Sequence, residues 1–113
     1  MRILLTGHLG YIGSVMSPYL CSQGHEIVGL DTGYFEECNL GDPGAIASSI
    51  RKDLRDIVPS DLKGFDAVIH LGALSNDPIG NLNESWTQDI NHHGSVRLAE
   101  LSGEAGIRRF LFS

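Results

Sequence analysis

Three evenly spaced glycines are the first residues of this chain whose types and spacing could do chemistry. Gly7, Gly10 and Gly13 follow the apolar run Arg2–Thr6 and lead into residues with helical spacing. Where a buried strand turns into a helix, backbone N–H groups and the positive helix end converge on an anion. Gly7 would permit the tight turn, Gly10 the close approach of a pyrophosphate, and Gly13 the packing of helix on strand. The spacing predicts a dinucleotide-binding turn, and the alternative is a turn that binds no ligand.

An acidic residue stands at the second position where such a site needs chemistry. Asp31 lies 18 residues beyond Gly13, at the end of a second apolar run. A carboxylate there can accept hydrogen bonds from the adenosine ribose, and it would repel a 2′-phosphate. Neither Thr32 nor Gly33 is a cation that would attract that phosphate, so only His8 leaves an opening for NADP. The residues favour NAD, and the alternative for Asp31 is a solvated loop carboxylate.

Other polar residues give weaker signals. His92 and His93 are neighbours on a predicted helix and point about 100° apart, which prevents joint chelation, so we expect no metal site. His70 falls within a buried run, where a hydrogen-bonded core histidine is favoured over a catalytic one. Asn76–Pro78 favours a turn, with substrate contact as the alternative because it follows a strand at the ligand-binding edge.

The elements that must position these residues alternate between strand and helix. Short apolar runs without alternation are typical of parallel strands that are buried on both faces. The predicted strands are Arg2–Thr6, Glu26–Leu30, Ser49–Asp53, Asp66–Leu71 and Arg109–Ser113.

Two helices and two connections complete the pattern. The first helix ends at Gly24, and the second begins with a capping box at Ser85–Gln88 and ends at Gly106. An irregular connection with one helical turn is expected over Thr32–Ala47, and a brief turn at Pro59–Asp61. The predicted apolar stripes are Ile12, Val15, Met16, Tyr19 and Leu20 in the first helix, and Trp86, Ile90, Leu98, Leu101 and Ala105, with Gly94 among them, in the second.

These elements predict an α/β fold in one domain, residues 1–113. We expect a Rossmann-type doubly wound parallel sheet of about five strands, truncated after the fifth strand. Its length of 113 residues and its 42% hydrophobic and 19% charged residues are ordinary for a soluble globular domain.

Composition also bounds the compartment and the partners. No apolar run approaches the roughly 18 residues of a membrane span, and the first residues lack the pattern of a signal peptide, so a cytoplasmic location is expected. The formal net charge of -6 argues against a nucleic-acid partner. Cys21 and Cys38 are interpreted as reduced packing thiols.

Five segments together resemble the extended short-chain dehydrogenase/reductase family, in its NAD-dependent epimerase/dehydratase group acting on nucleotide sugars. They cover nearly the whole chain in the order of the family's motifs. The segments are Thr6–Gly13 for the TGxxGxIG-type turn, Asp53–Asp56 for the DxRD-like segment, Val68–Ala73 for the VxHxAA-like strand, Asn91–Ser95 for the NxxG[TS] helix, and Arg108–Ser113 for the next strand.

The resemblance implies NAD as the cofactor and assigns residues to each part of it. The implied contacts are Gly7, Gly10, Tyr11 and Ile12 with the pyrophosphate, Gly13 in the turn, Asp31 with the ribose, Asp53 and Leu54 with the adenine, Leu71, Gly72 and Ala73 along the cofactor, and Asn91 as a support from the helix. The sequence departs from the family where His8 and Leu9 replace small residues and Gly72 replaces an alanine.

The catalytic Ser/Thr of the family, its YxxxK helix and its sugar-binding region have no match here. The sequence therefore resembles the amino-terminal half of an oxidoreductase that acts as an epimerase, dehydratase or reductase of a nucleotide sugar. We expect an NAD-binding portion that is inactive alone, with a nucleotide sugar bound only in a full-length parent. An open apolar face and strand edge near the fifth strand favour a homo-oligomer. A non-catalytic NAD-sensing or scaffolding module is the alternative.

Overall fold

A computed structural model describes residues 1–38, 46–75 and 83–113 of the chain. Its strands form one parallel sheet in the order β3-β2-β1-β4-β5. The order reverses between β1 and β4, which creates the crevice where doubly wound sheets bind ligands. The strands are β1 (Arg2–Thr6), β2 (Glu26–Asp31), β3 (Ser48–Arg51), β4 (Ala67–His70) and β5 (Arg109–Phe112). The predicted five-stranded, Rossmann-type fold is confirmed.

The described helices lie between these strands. None of them is long and apolar enough to cross a membrane. They are α1 (Tyr11–Ser22), α2 (Glu84–Gln88), a π-helix (Asp89–Gly94), α3 (Ser95–Glu104), and the 3-10 turns Glu36–Cys38, Leu54–Asp56 and Pro59–Leu62. The helical turns expected after Thr32 and at Pro59 are therefore present.

The central strands β1, β2 and β4 are buried on both faces, as their apolar runs predicted, whereas the edge strands β3 and β5 are largely exposed. Successive residues of a strand point to opposite faces, so Leu4 and Leu5 belong to separate clusters, and neither is exposed. The cluster of Leu4 includes Leu98 and Leu101 of α3, whereas that of Leu5 includes Met16 of α1. The two helices thus cover opposite faces of the sheet.

The buried side of α1 differs from the predicted stripe. Ile12, Val15 and Tyr19 are more than half exposed, while Gly13 and Ser17 are buried. A Cβ at Gly13 would collide with the Gly7 carbonyl oxygen and lie 2.6 Å from the His8 Cα. The smallest residues face inward because the helix begins almost in contact with the turn.

The third strand and the second helix begin or end at other residues than predicted. β3 ends at Arg51 instead of Asp53, because the Asp53 carboxylate accepts the Arg55 N–H at 2.8 Å and caps the next turn. The predicted capping box at Ser85 is wrong. Asn83 is the N-cap instead, and its side-chain oxygen accepts the Ser85 N–H at 3.1 Å.

The predicted stripe of the second helix is wrong at its two ends. Trp86 is 58% exposed, although Leu98 and Leu101 are buried as expected. The π-helix between them has more residues per turn than an α-helix, so it rotates the residues before it out of phase with those after it. Ala105 lies beyond the end of α3 and is exposed.

The close approach at Gly13 gives a stability prediction. Gly13→Ala should lower the free energy of unfolding by about 3 kcal/mol, because the new methyl group would collide with backbone atoms of Gly7 and His8. Gly103→Ala is the matched control, because a Cβ there meets no atom within 4 Å and alanine favours a helix. Urea denaturation of both variants measures the difference. Equal stability of the two would contradict the packing described.

Candidate dinucleotide-binding site

The glycine turn joins the carboxyl ends of three strands. Gly7 has φ of 72°, and its N–H donates to the Leu30 carbonyl at the end of β2 at 2.8 Å. A Cβ on Gly7 would lie 2.8 Å from the Gly72 nitrogen, just beyond β4. The turn therefore lies directly between β2 and the segment after β4, and only glycine fits at its start.

Gly10 ends the turn and is the N-cap of α1. It has no side chain to cap the helix, and a Cβ there would meet only the Gly7 carbonyl oxygen, at 3.2 Å. The first N–H groups of a helix have no acceptor within the helix. Together with the helix dipole they make this end of α1 a favourable place for an anion.

Asp31 fastens the turn to the end of β2. Its Oδ2 accepts the Leu9 N–H at 3.2 Å, and its Oδ1 accepts the Gly33 N–H at 3.0 Å. Each carboxylate oxygen can accept a further hydrogen bond. Asp31 is therefore held in a fixed position beside the turn and can still accept hydrogen bonds from a ligand. A carboxylate that was merely solvated in a loop would not need these two backbone hydrogen bonds.

His8 turns inward, away from solvent. The residue is 2% exposed, and its ring lies against Gly29, where a Cβ would be 2.6 Å from Nδ1. Nε2 is 3.2 Å from the Ser49 hydroxyl, whereas Nδ1 has no hydrogen-bond partner among the described residues. Burial lowers the pKa of His8, and the nearby Asp31 offsets part of that effect. A buried ring with a lowered pKa does not present a cation to a phosphate.

One basic residue close to Asp31 was missed by the sequence analysis. Arg51 pairs with Asp31 across β2 and β3, and its Nε donates to the Thr32 carbonyl at 3.2 Å. The two residues are 20 positions apart in the chain, so inspection of Thr32 and Gly33 alone could not find this cation. Strand register was the signal that would have shown it.

His70 is a core histidine that links β1, β4 and the second helix. Nδ1 is 2.6 Å from the Thr6 hydroxyl, and Nε2 is 2.7 Å from the Ser95 hydroxyl. The Ser95 hydroxyl donates to the Asn91 carbonyl at 2.9 Å, so it must accept a proton from Nε2. This assigns the neutral Nε2–H tautomer, in agreement with the preference for a hydrogen-bonded core residue.

Asn91 closes a clamp on the segment that follows β4. Its Oδ1 accepts the Leu74 N–H at 2.8 Å, and its Nδ2 donates to the Leu74 carbonyl at 2.9 Å. Asn91 lies within the π-helix, a rare conformation that occurs often at functional sites. The side-chain amide pairs with Leu74 as a strand neighbour would, and thereby fixes the wall of the crevice.

Gly72 explains one departure from the family pattern. Its N–H donates to the Thr6 hydroxyl at 3.1 Å, and a Cβ there would lie 3.2 Å from that oxygen. The methyl group of alanine would crowd the hydroxyl that also contacts His70. Glycine at this position therefore leaves space for the hydrogen bonds that connect Gly72, Thr6 and His70.

An ion pair between Arg55 and Asp53 stabilises the segment Asp53–Asp56, which the resemblance implies to flank the adenine. Arg55 donates to both carboxylate oxygens of Asp53, at 3.0 and 2.9 Å, and these bonds lower the pKa of Asp53. Leu54 is buried in the core and packs beside Gly94, where a Cβ would be 3.3 Å from it. Any adenine contact of Leu54 thus falls to its backbone.

The remaining candidate residues are not gathered at this site. His92 and His93 have ring centroids 5.2 Å apart on the π-helix, and His93 lies 3.2 Å from Asp89. In the described ranges, no group of three or more His, Cys, Asp or Glu residues is arranged to hold a metal ion. Asn76–Pro78, with its turn and substrate interpretations, lies outside the described residues.

The family model that matches residues 3–113 is that of the NAD dependent epimerase/dehydratase family. A UDP-glucose 4-epimerase of Streptomyces lividans is 34% identical over 122 residues, covering 99% of this chain and 35% of that protein. A UDP-glucose 4-epimerase sequence of Klebsiella pneumoniae is 31% identical over 128 residues, which cover 88% of it.

A solved structure gives the same result. The UDP-glucose-4-epimerase of Stenotrophomonas maltophila, with bound NAD and formylated UDP-arabinopyranose, has a TM-score of 0.84 and 28% identity. The alignment covers 99% of this chain and 36% of that one. This chain spans about a third of the length of the Streptomyces and Stenotrophomonas enzymes.

The fold and the glycine turn define a Rossmann-type dinucleotide-binding domain. The match over residues 3–113 shows that the chain belongs to the NAD dependent epimerase/dehydratase family. The predicted resemblance is confirmed, and an enzyme family is favoured over a non-catalytic sensing module.

The buried histidine gives a pH prediction. Burial lowers the pKa of His70 from 6.5 to about 4, so below pH 6.5 the unfolded chain gains a proton that the folded chain refuses. The free energy of unfolding should therefore fall between pH 6.5 and 4, by at most about 3 kcal/mol from His70. The lowered pKa of His8 acts in the same direction.

Denaturant titrations between pH 6.5 and 4 measure how the free energy of unfolding changes with pH in the unmutated chain and in two variants. His70→Asn should reduce this change, whereas His92→Gln, at an exposed position, should leave it as in the unmutated chain. An unchanged slope in His70→Asn would show that this ring does not stay neutral on folding.

Proposed function

We propose that this chain is the NAD-binding portion of an epimerase or dehydratase that acts on a nucleotide sugar. The observation that carries the proposal is the placement of the α1 N-terminus beside the fixed Asp31 carboxylate, at the switch point of the sheet. An anion site and a ribose acceptor then lie side by side, as a dinucleotide requires. The NAD bound by the Stenotrophomonas enzyme supports the same cofactor.

The individual roles follow from position. The N–H groups of Tyr11 and Ile12, at the first turn of α1, face the pyrophosphate, and Gly10 lets it approach the backbone. Asp31 accepts hydrogen bonds from the ribose. Backbone groups of Asp53 and Leu54 flank the adenine. Lining groups along the rest of the cofactor come from Leu71, Gly72 and Ala73, with Gly7 and Gly13 shaping the turn and Asn91 supporting the wall.

NAD, when bound, supplies the hydride acceptor for a sugar hydroxyl carbon, and the protein must supply a base for the hydroxyl proton. The three tyrosines of this chain do not meet that need, because Tyr11 and Tyr19 lie on the exposed side of α1 and Tyr34 in the loop after β2. Lys52 is bound to Asp61 at 2.7 Å. We therefore expect the 113-residue chain to bind NAD without turning over UDP-, dTDP-, GDP- or CDP-sugars.

Cofactor preference tests the role of Asp31. NAD should bind more tightly than NADP, because the carboxylate accepts from a 2′-hydroxyl and repels a 2′-phosphate. Asp31→Asn removes the charge and keeps one acceptor oxygen, so it can accept from only one of the Leu9 and Gly33 amides. The dissociation constant for NADP divided by that for NAD should therefore fall about tenfold.

Isothermal titration with both cofactors measures this ratio. Glu104→Gln is the charge-matched control, since Glu104 ends α3 and is exposed, and it should leave the ratio unchanged. NADP binding as tightly as NAD to the unmutated chain, with the same ratio in Asp31→Asn, would refute the assignment of Asp31.

A cytoplasmic location also belongs to the proposal. Cys21 and Cys38 are both free thiols, which suits a reducing compartment. The proposal includes no nucleic-acid partner, because the net charge of -6 disfavours binding to phosphate backbones.

Self-association is proposed through β5. In the described ranges β5 pairs with β4 on one side, while Leu111 is 52% and Phe112 66% exposed. An apolar strand with an open edge invites pairing with a second copy. Light scattering should show a dimer or larger species that Leu111→Glu dissociates, while Val96→Glu on α3 has no effect. A monomer at high protein concentration would contradict this.

A further inference from the structure

We propose that Arg51 forms a second anion subsite beside Asp31, which accepts the 2′-phosphate of NADP. Cofactor choice is then set by two opposed charges: Asp31 disfavours NADP, and Arg51 limits how strongly it is disfavoured. The inference rests on the proposed function, because it takes the adenosine ribose to lie at Asp31. No cation next to Asp31 in the sequence indicates this subsite.

Strand register brings the two side chains to the same edge of the sheet. Asp31 and Arg51 are partners at the last position of the β2–β3 ladder. The Arg51 Nε donates to the Thr32 carbonyl at 3.2 Å, and its Nη2 donates to the Gly33 carbonyl at 3.4 Å. The guanidinium thus lies over the two residues that follow Asp31.

Gly33 is in contact with both charges. Its N–H donates to Asp31 Oδ1 at 3.0 Å, and a Cβ on it would lie 2.7 Å from Arg51 Nη2. Its φ of 73° also favours glycine. Because Gly33 has no side chain, the guanidinium can lie against its backbone, and the N–H of the same residue binds the Asp31 carboxylate. The backbone of Gly33 therefore separates the cation from the carboxylate. A phosphate on the ribose hydroxyl nearest Gly33 would meet this cation.

The present partner of Arg51 is readily exchanged. Nη2 lies 3.3 Å from a Glu36 carboxylate oxygen, and the two side chains are 70% and 56% exposed. Ion pairs as exposed as this contribute little stability. The contacts described use Nε and Nη2, which leaves the donors of Nη1 for a phosphate. A phosphate carries more charge than a carboxylate and accepts paired N–H bonds from arginine, so it can replace Glu36.

This arrangement predicts the effect of each charge on NADP alone. Arg51→Gln should weaken NADP binding about three- to tenfold, as loss of a partly exposed charge-assisted hydrogen bond does, with NAD binding changed less than about twofold. Glu36→Gln should strengthen NADP binding, because it frees the guanidinium. Arg109→Gln is the control, since it removes one positive charge at the start of β5.

Titrations of the four chains with NAD and NADP test the inference. Equal losses for NAD and NADP in Arg51→Gln would show that Arg51 merely holds the loop after β2, and would overturn it. It would also be overturned if NAD binds but NADP binds neither the unmutated chain nor Glu36→Gln. Failure of the unmutated chain to bind NAD would overturn the proposed function together with this inference.

Discussion

The contact between the start of α1 and the turn at the end of β1 constrains the rest of the structure. Gly13 lies against the Gly7 carbonyl, and Gly7 lies against Gly72 beyond β4, with no space for a Cβ at either glycine. A helix that begins this close to the sheet directs its first N–H groups into the crevice between β1 and β4. The anion site is therefore a consequence of backbone packing, and Asp31 and Gly72 are placed relative to it.

A polar network maintains the other side of the crevice. The chain from Gly72 through Thr6, His70 and Ser95 ends at the carbonyl of Asn91, whose side chain holds Leu74. Each hydroxyl in it donates one hydrogen bond and accepts at least one, so the donors and acceptors of His70 are satisfied without a charge. A buried network whose members are all satisfied specifies one arrangement of its groups. It therefore fixes the segment after β4 relative to the second helix.

The sequence predicted the strands of the sheet, the glycine turn and the position of Asp31 at the end of β2, because each of these is indicated by residues that are close together in the chain. It did not predict the exposed position of Trp86, because the π-helix breaks the 3.6-residue period on which helical stripes rest. Arg51 was missed for a different reason. Its proximity to the Thr32 carbonyl depends on the register of β3 against β2, which no local pattern contains. His8 likewise reaches Ser49 only through that pairing.

The most direct test of the account is the position of NAD on this chain in solution. Backbone amide resonances of isotopically labelled protein, followed during titration with NAD, report each contact separately. The account predicts saturable shifts concentrated at Gly7, Gly10, Tyr11, Ile12 and Gly33, where the turn and the end of β2 meet. Saturable binding that leaves these amides unmoved and shifts those of another surface would contradict it.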